Sequence, residues 1–174
     1  MRNDITKNCL TLYGNIDSDP KKWWDFYEYA KELIKRLGFS PNHFGIQSTT
    51  FNLDKVLDLD KVEQKLRKVI ESGEEIRSLE LMALPENFKL ASFDYDVSVL
   101  RYKDFYPHHV TLVVRDKEKF KSLNLNDVIK ELKKFAEFSS GQVYELSVSE
   151  DPLIFAIKGK PVTNFKGIRI TYEF

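Results

Sequence analysis

Two stretches of strict alternation limit this chain more than anything else in it. Residues 93–100 put Phe93, Tyr95, Val97 and Val99 on one side and Asp94, Asp96 and Ser98 on the other. Residues 108–115 repeat the pattern, with Val110, Leu112 and Val114 opposite His109, Thr111, Val113 and Arg115. A period of two belongs to an extended strand, whose side chains point alternately to its two faces. One apolar and one polar face imply antiparallel strands with one side on a core and one side open. Between the two runs, Tyr102-Lys103-Asp104-Phe105-Tyr106-Pro107 reads as a loop.

The rest of the chain can be read against this pair. Residues 9–14 predict a strand. Asp19-Pro20 predicts a helix start: an N-cap carboxylate, then a proline at the position whose N–H has no helical partner. Trp23, Phe26, Tyr27, Ala30, Leu33, Ile34 and Leu37 follow at helical spacing, and Gly38 stands where a C-cap belongs. Residues 44–51 predict a strand. Asp60-Lys61-Val62-Glu63 resembles a capping box, and Val62, Leu66, Val69 and Ile70 form the stripe of a second helix ending at Gly73. The apolar run 76–84 predicts a strand. A third helix is expected from a cap at Asn126 through Val128, Ile129, Leu132, Phe135 and Ala136, with Gly141 at its end. Residues 142–148 return to alternation. The tail predicts two strands, 153–158 and 167–173, joined by Gly159-Lys160-Pro161.

Runs of strands interrupted by helices argue for an α+β fold. The expected architecture is a mainly antiparallel sheet with about three helices on one face and ferredoxin-like, split β-α-β elements. With 174 residues and no repeat or linker, residues 1–174 read as one domain. A chain of that length buries about 70% of its unfolded surface, so its core suffices without disulfide or metal. The lone Cys9 lies in the apolar stretch Cys9-Leu10-Thr11-Leu12-Tyr13 and reads as a buried strand residue.

Charge narrows the function classes. The 27 basic and 27 acidic residues balance and are interspersed, which argues against a nucleic-acid partner and an anionic membrane surface. The polar start Met1-Arg2-Asn3-Asp4 and the absence of a long apolar run make the cytoplasm the expected compartment. Phosphate-binding glycine loops, nucleophile elbows and paired-cysteine motifs are missing, and no cofactor or metal is expected.

One fragment carries chemistry. His109-Val110-Thr111-Leu112 places His109 and Thr111 together on the polar face of a strand. This resembles the His-x-Thr motif of the 2H phosphoesterases. The resemblance implies hydrolysis or ligation of cyclic or 2′,5′ phosphodiesters, with one histidine as base, another as acid, and hydroxyls holding the phosphate. That chemistry needs two such motifs, because proton removal and donation occur on opposite sides of phosphorus. His43 lies near the position of a first motif but continues Phe44-Gly45, with no hydroxyl two residues on. His108 is expected on the opposite face from His109. An idle, exposed histidine on the open sheet face is the simpler expectation.

A second cluster suggests binding. Asp94 and Asp96 are expected on one strand face, close to Asp104 and to the aromatics Tyr102, Phe105 and Tyr106. An acidic face suits a basic partner, and loop aromatics carry much of the energy at protein contacts. A small, charge-balanced, aromatic-rich α+β chain is similar in style to the immunity proteins of bacterial polymorphic toxin systems. That resemblance implies an inhibitor that binds a cognate toxin and plugs its active site. The first expectation is therefore a protein-binding inhibitor contacting its toxin through these six residues, with room for a homodimer. The alternative is a 2H-type phosphodiesterase using His109, Thr111 and His43.

Overall fold

The computed structural model describes residues 5–50 and 57–174. The polar start read above and the end of the predicted strand at Phe51 lie outside the described residues. The same is true of the Val62 side chain, part of the predicted stripe of the second helix.

The chain folds as α+β, and its described residues form one sheet of eight strands. They are β1 (Thr6–Asn15), β2 (His43–Ser48), β3 (Leu57–Asp58), β4 (Ile76–Ala83), β5 (Val97–Tyr102), β6 (His109–Val114), β7 (Glu137–Ser147) and β8 (Arg169–Glu173). Their order across the sheet is β3-β2-β4-β5-β6-β1-β7-β8, and every neighbouring pair is antiparallel. The long N-terminal strand therefore sits inside the sheet, between β6 and β7.

Helices α1 (Pro20–Arg36), α2 (Leu59–Glu71), α4 (Lys117–Ser122) and α5 (Leu125–Leu132) cover one face. Two short helices, α3 (Ala91–Asp94) and α6 (Pro152–Ala156), flank the other. β6 and β7 both run antiparallel to the intervening β1, so β6-α4-α5-β7 is a split β-α-β unit of the kind expected.

Local chemistry explains most boundaries. The Asp19 carboxylate accepts from Lys21 N at 3.0 Å, and α1 buries the predicted stripe from Trp23 to Ile34. That stripe packs on Leu10, Leu12, Val97, Val99, Val110 and Leu112. Burying each such aliphatic side chain stabilises the fold by about 2 kcal/mol. Gly38 has φ +84°, the left-handed conformation a helix C-terminus commonly uses.

Four expectations are corrected. α2 begins at Leu59, so Asp60 lies in its first turn and not at its cap. The third predicted helix is two helices. Asp116 caps α4, and Asn124, not Asn126, caps α5 by accepting from Asp127 N at 3.3 Å. Gly141 does not end that helix. It sits within β7 under the Phe174 ring, where a Cβ would lie 2.4 Å from a ring carbon. The predicted strand 153–158 is instead α6, whose cap Asp151 accepts from Leu153 N at 2.8 Å, with Pro152 in the first turn.

The sheet's second face is not open. Phe155 and Phe165 pack with Cys9, Met82, Tyr95, Val113, Tyr144 and Leu146 into a smaller core there. Cys9 is fully buried, and burial pushes its thiol up to about 12. We expect a thiol-specific reagent to leave native Cys9 unlabelled over the time that fully labels the urea-unfolded chain. Rapid labelling of the native protein would show that this smaller core opens readily.

Candidate functional site

The β5–β6 hairpin carries the predicted binding loop, and its base is braced. Lys103 N donates to Arg77 O at 2.8 Å, and Lys103 Nζ donates to Ser18 Oγ at 2.7 Å and pairs with Glu75 at 3.2 Å. Asp104 pairs with Arg77 at 3.2 Å. At the tip, Phe105 and Tyr106 stand 63% and 77% exposed. The Tyr106 ring stacks on His108 with centroids 4.1 Å apart and planes 11° from parallel. His108 is held in turn, its Nδ1 accepting from Ile16 N at 3.2 Å.

The six predicted contact residues do not form one patch. Tyr102 is buried with its ring against His109, so it supports the hairpin from within. Asp94 and Asp96 share no strand face, because residues 91–94 are helical and β5 starts only at Val97. Asp94 accepts from Lys89 N at 2.7 Å and Leu90 N at 2.8 Å, and these bonds hold its carboxyl below the usual carboxylate range. Burial moves Asp96 the other way. Both precede β5, whereas the aromatic tip follows it. The six residues of β5 separate them by roughly 20 Å. Phe105 and Tyr106 remain as the exposed pair, with Asp104 at their base.

His109 and Thr111 do share a face, as read, but neither is exposed. His109 is wholly buried between the rings of Tyr13 and Tyr102, at centroid distances of 6.2 and 5.0 Å. Its Nδ1–H donates to the Pro107 carbonyl at 2.9 Å, and its Nε2 has no hydrogen-bond partner among the described residues. Burial lowers its basicity to about 4, so the ring is neutral near pH 7. Thr111 is tied into a hydroxyl chain: its Oγ1 lies 2.9 Å from Thr11 Oγ1, which lies 2.9 Å from the Tyr144 hydroxyl.

His43 projects from the same face but far away. The register runs His43-Met82-Ser98-Val113 across four strands, and Val113 is four residues beyond His109. The two rings are thus separated by three strand spacings, roughly 14 Å, and by roughly 13 Å along the strands. His43 bonds Asn42 at 2.9 Å and packs on Phe88. One phosphate cannot bridge a base and an acid so placed. A buried His109 also removes the simpler expectation of an exposed sheet histidine.

One feature of this face was not anticipated. Glu80 lies half-buried in a cavity of about 180 Å³ lined also by Ser78, Ser98, Tyr95, Thr111 and Asp151. The Ser98 hydroxyl donates to its carboxylate, and burial raises the carboxyl's pKa. Nearby, Lys7 is buried between Phe93 and Tyr95, its Nζ 5.6 and 5.4 Å from the ring centroids. The cavity offers hydroxyls and a protonatable carboxyl, but Asp151 is spent capping α6 and the Thr111 hydroxyl is spent on Thr11. The alternation Ser78-Glu80-Met82 was legible within the run 76–84. Its neighbours Ser98 and Thr111 needed the strand register to be placed beside it.

Among the described residues, no helix is long and apolar enough to cross a membrane, and no three His, Cys, Asp or Glu side chains gather as a metal site would need. No protein-family model, no curated protein and no solved structure matches the chain.

Proposed function

We propose that this chain is a protein-binding inhibitor that neutralises a cognate bacterial toxin and docks through the tip of the β5–β6 hairpin. The observation that carries the reading is the pair Phe105 and Tyr106, 63% and 77% exposed on a braced turn. Aromatic rings of this size bury large areas and dominate contact energetics when covered. Bracing by Arg77, Asp104, Lys103 and Ser18 fixes the tip before contact and reduces the ordering cost of binding. The docking element is thus aromatic, with Asp104 as its nearest acid. Asp94 and Asp96 lie outside it.

The toxin as partner rests on the resemblance of a small, charge-balanced α+β chain to immunity proteins. A cytoplasmic location belongs to the same reading. The test is genetic. The product of the adjacent gene is expressed alone and together with this chain, and growth is followed. Arrest by the neighbour alone, with growth restored by co-expression, supports the reading. A harmless neighbour, or one whose toxicity this chain does not relieve, overturns it.

A further inference from the structure

A cavity of about 470 Å³ lies on the helix side of the sheet, lined in part by Asp17, Lys22, Arg101, Lys133, Lys134 and Glu137. Four cations against two carboxylates leave it a formal excess of two positive charges. Arg101 is the most deeply set of them, 1% exposed, at the end of the β5 row that faces the helices. Its guanidinium stacks on Trp23, with the central carbon 4.2 Å from the ring centroid. Nε donates to the Phe135 carbonyl at 2.9 Å, and Nη2 lies 3.9 Å from Asp17.

That leaves Arg101 poorly matched. Nη1 is buried and has no hydrogen-bond partner among the described residues. The carboxylate that Arg101 does approach is already committed, since Asp17 pairs with Lys22 at 2.5 Å and accepts from Asp19 N at 3.1 Å. A buried cation without full pairing is unfavourable, and the charge of a bound anion would offset it. Lys133 and Lys134 are exposed at the rim. Lys133 Nζ lies 4.0 Å over the Phe138 ring, and Lys134 pairs with Glu131 at 2.6 Å.

We propose that this cavity is an oxyanion site that takes a single phosphate group, with the Arg101 guanidinium as its fixed charge and Lys22, Lys133 and Lys134 as mobile donors. Phosphate carries close to two negative charges near neutral pH, which matches the excess of the lining. A planar guanidinium held by stacking is suited to phosphate oxygens. The chain as a whole is charge-balanced, so the ligand is one phosphate group and not a nucleic-acid backbone.

The test is a heteronuclear NMR titration of the intact protein, following the Trp23 indole N–H and the Arg101 Nε–H. Inorganic phosphate and ethyl phosphate are compared with sodium chloride at matched ionic strength. Saturable shifts of both signals with the phosphates alone are expected. Tighter binding of ethyl phosphate would identify a monoester as the ligand, and equal or weaker binding would identify free phosphate. Arg101→Met should abolish the response. Lys133→Gln with Lys134→Gln, both at exposed positions that leave the fold intact, should weaken binding by roughly tenfold. Shifts that chloride reproduces, no saturation at millimolar phosphate, or undiminished binding in the double lysine variant would overturn the assignment. The lysine pair decides the matter even if Arg101→Met fails to fold.

Discussion

Lowering the pH from about 6.5 to about 4 should cost this protein about 3 kcal/mol of stability through His109 alone. His109 is fully buried, and burial depresses its folded-state pKa from 6.5 to about 4. The unfolded chain therefore takes up a proton on this ring at a pH where the folded chain does not. Stability is fully present above the unfolded value, falls as pH drops through the window, and levels off below the folded value. His108 shifts in the same direction, also through burial first. Glu80 acts oppositely. Its raised carboxyl pKa gives stability that is present at acid pH and lost as pH rises through the folded value. The contribution of His109 is isolated by comparison with His109→Gln in urea melts across the window. The variant should show a flatter pH profile whatever its absolute stability. An unchanged slope would mean that the ring is wet in solution, and would reopen a chemical role for His109 and Thr111.

Strict alternation along β6 determines the face of each residue but not its exposure. Periodicity placed Val110 and Leu112 in the main core and His109 and Thr111 on the other face, and all four lie where alternation put them. Alternation cannot say what covers that face. The cover comes from α3, α6 and the segment around Phe165, distant in sequence from β6. Part of the cover was legible. Asp151-Pro152 carries the same cap-and-proline signal as Asp19-Pro20, yet Leu153, Ile154 and Phe155 also fit a short strand. With only five residues, α6 shows too little helical period to outweigh that. Residues 93–96 mislead for the opposite reason. Their alternation is real in the sequence, but Asp94 finds backbone donors at Lys89 and Leu90 and closes a helical turn instead. That turn carries Tyr95 into the smaller core, away from the side held by Val97 and Val99. The cavity at Glu80 and the cationic cavity at Arg101 both depend on which strands lie side by side.

The hairpin tip carries the larger expected effect. Phe105 and Tyr106 are exposed, so replacing both with alanine should lower the thermal midpoint only by the few degrees that loss of the Tyr106–His108 stack costs and leave the chain folded. Each is placed to act as a hot spot, and truncating a hot-spot aromatic costs about 2 kcal/mol or more of binding energy. The pair together should weaken the complex by roughly a thousandfold. Asp94→Asn is the matched control, since Asp94 lies at the far end of β5 and its carboxylate serves its own backbone turn. The most direct measurement is calorimetric titration of the purified adjacent-gene product with the native chain, with Phe105→Ala/Tyr106→Ala and with Asp94→Asn. Tight binding is expected from the native chain and the Asp94 variant, and near-complete loss from the folded double variant. Equal affinity for the native chain and the double variant would contradict docking through the hairpin tip.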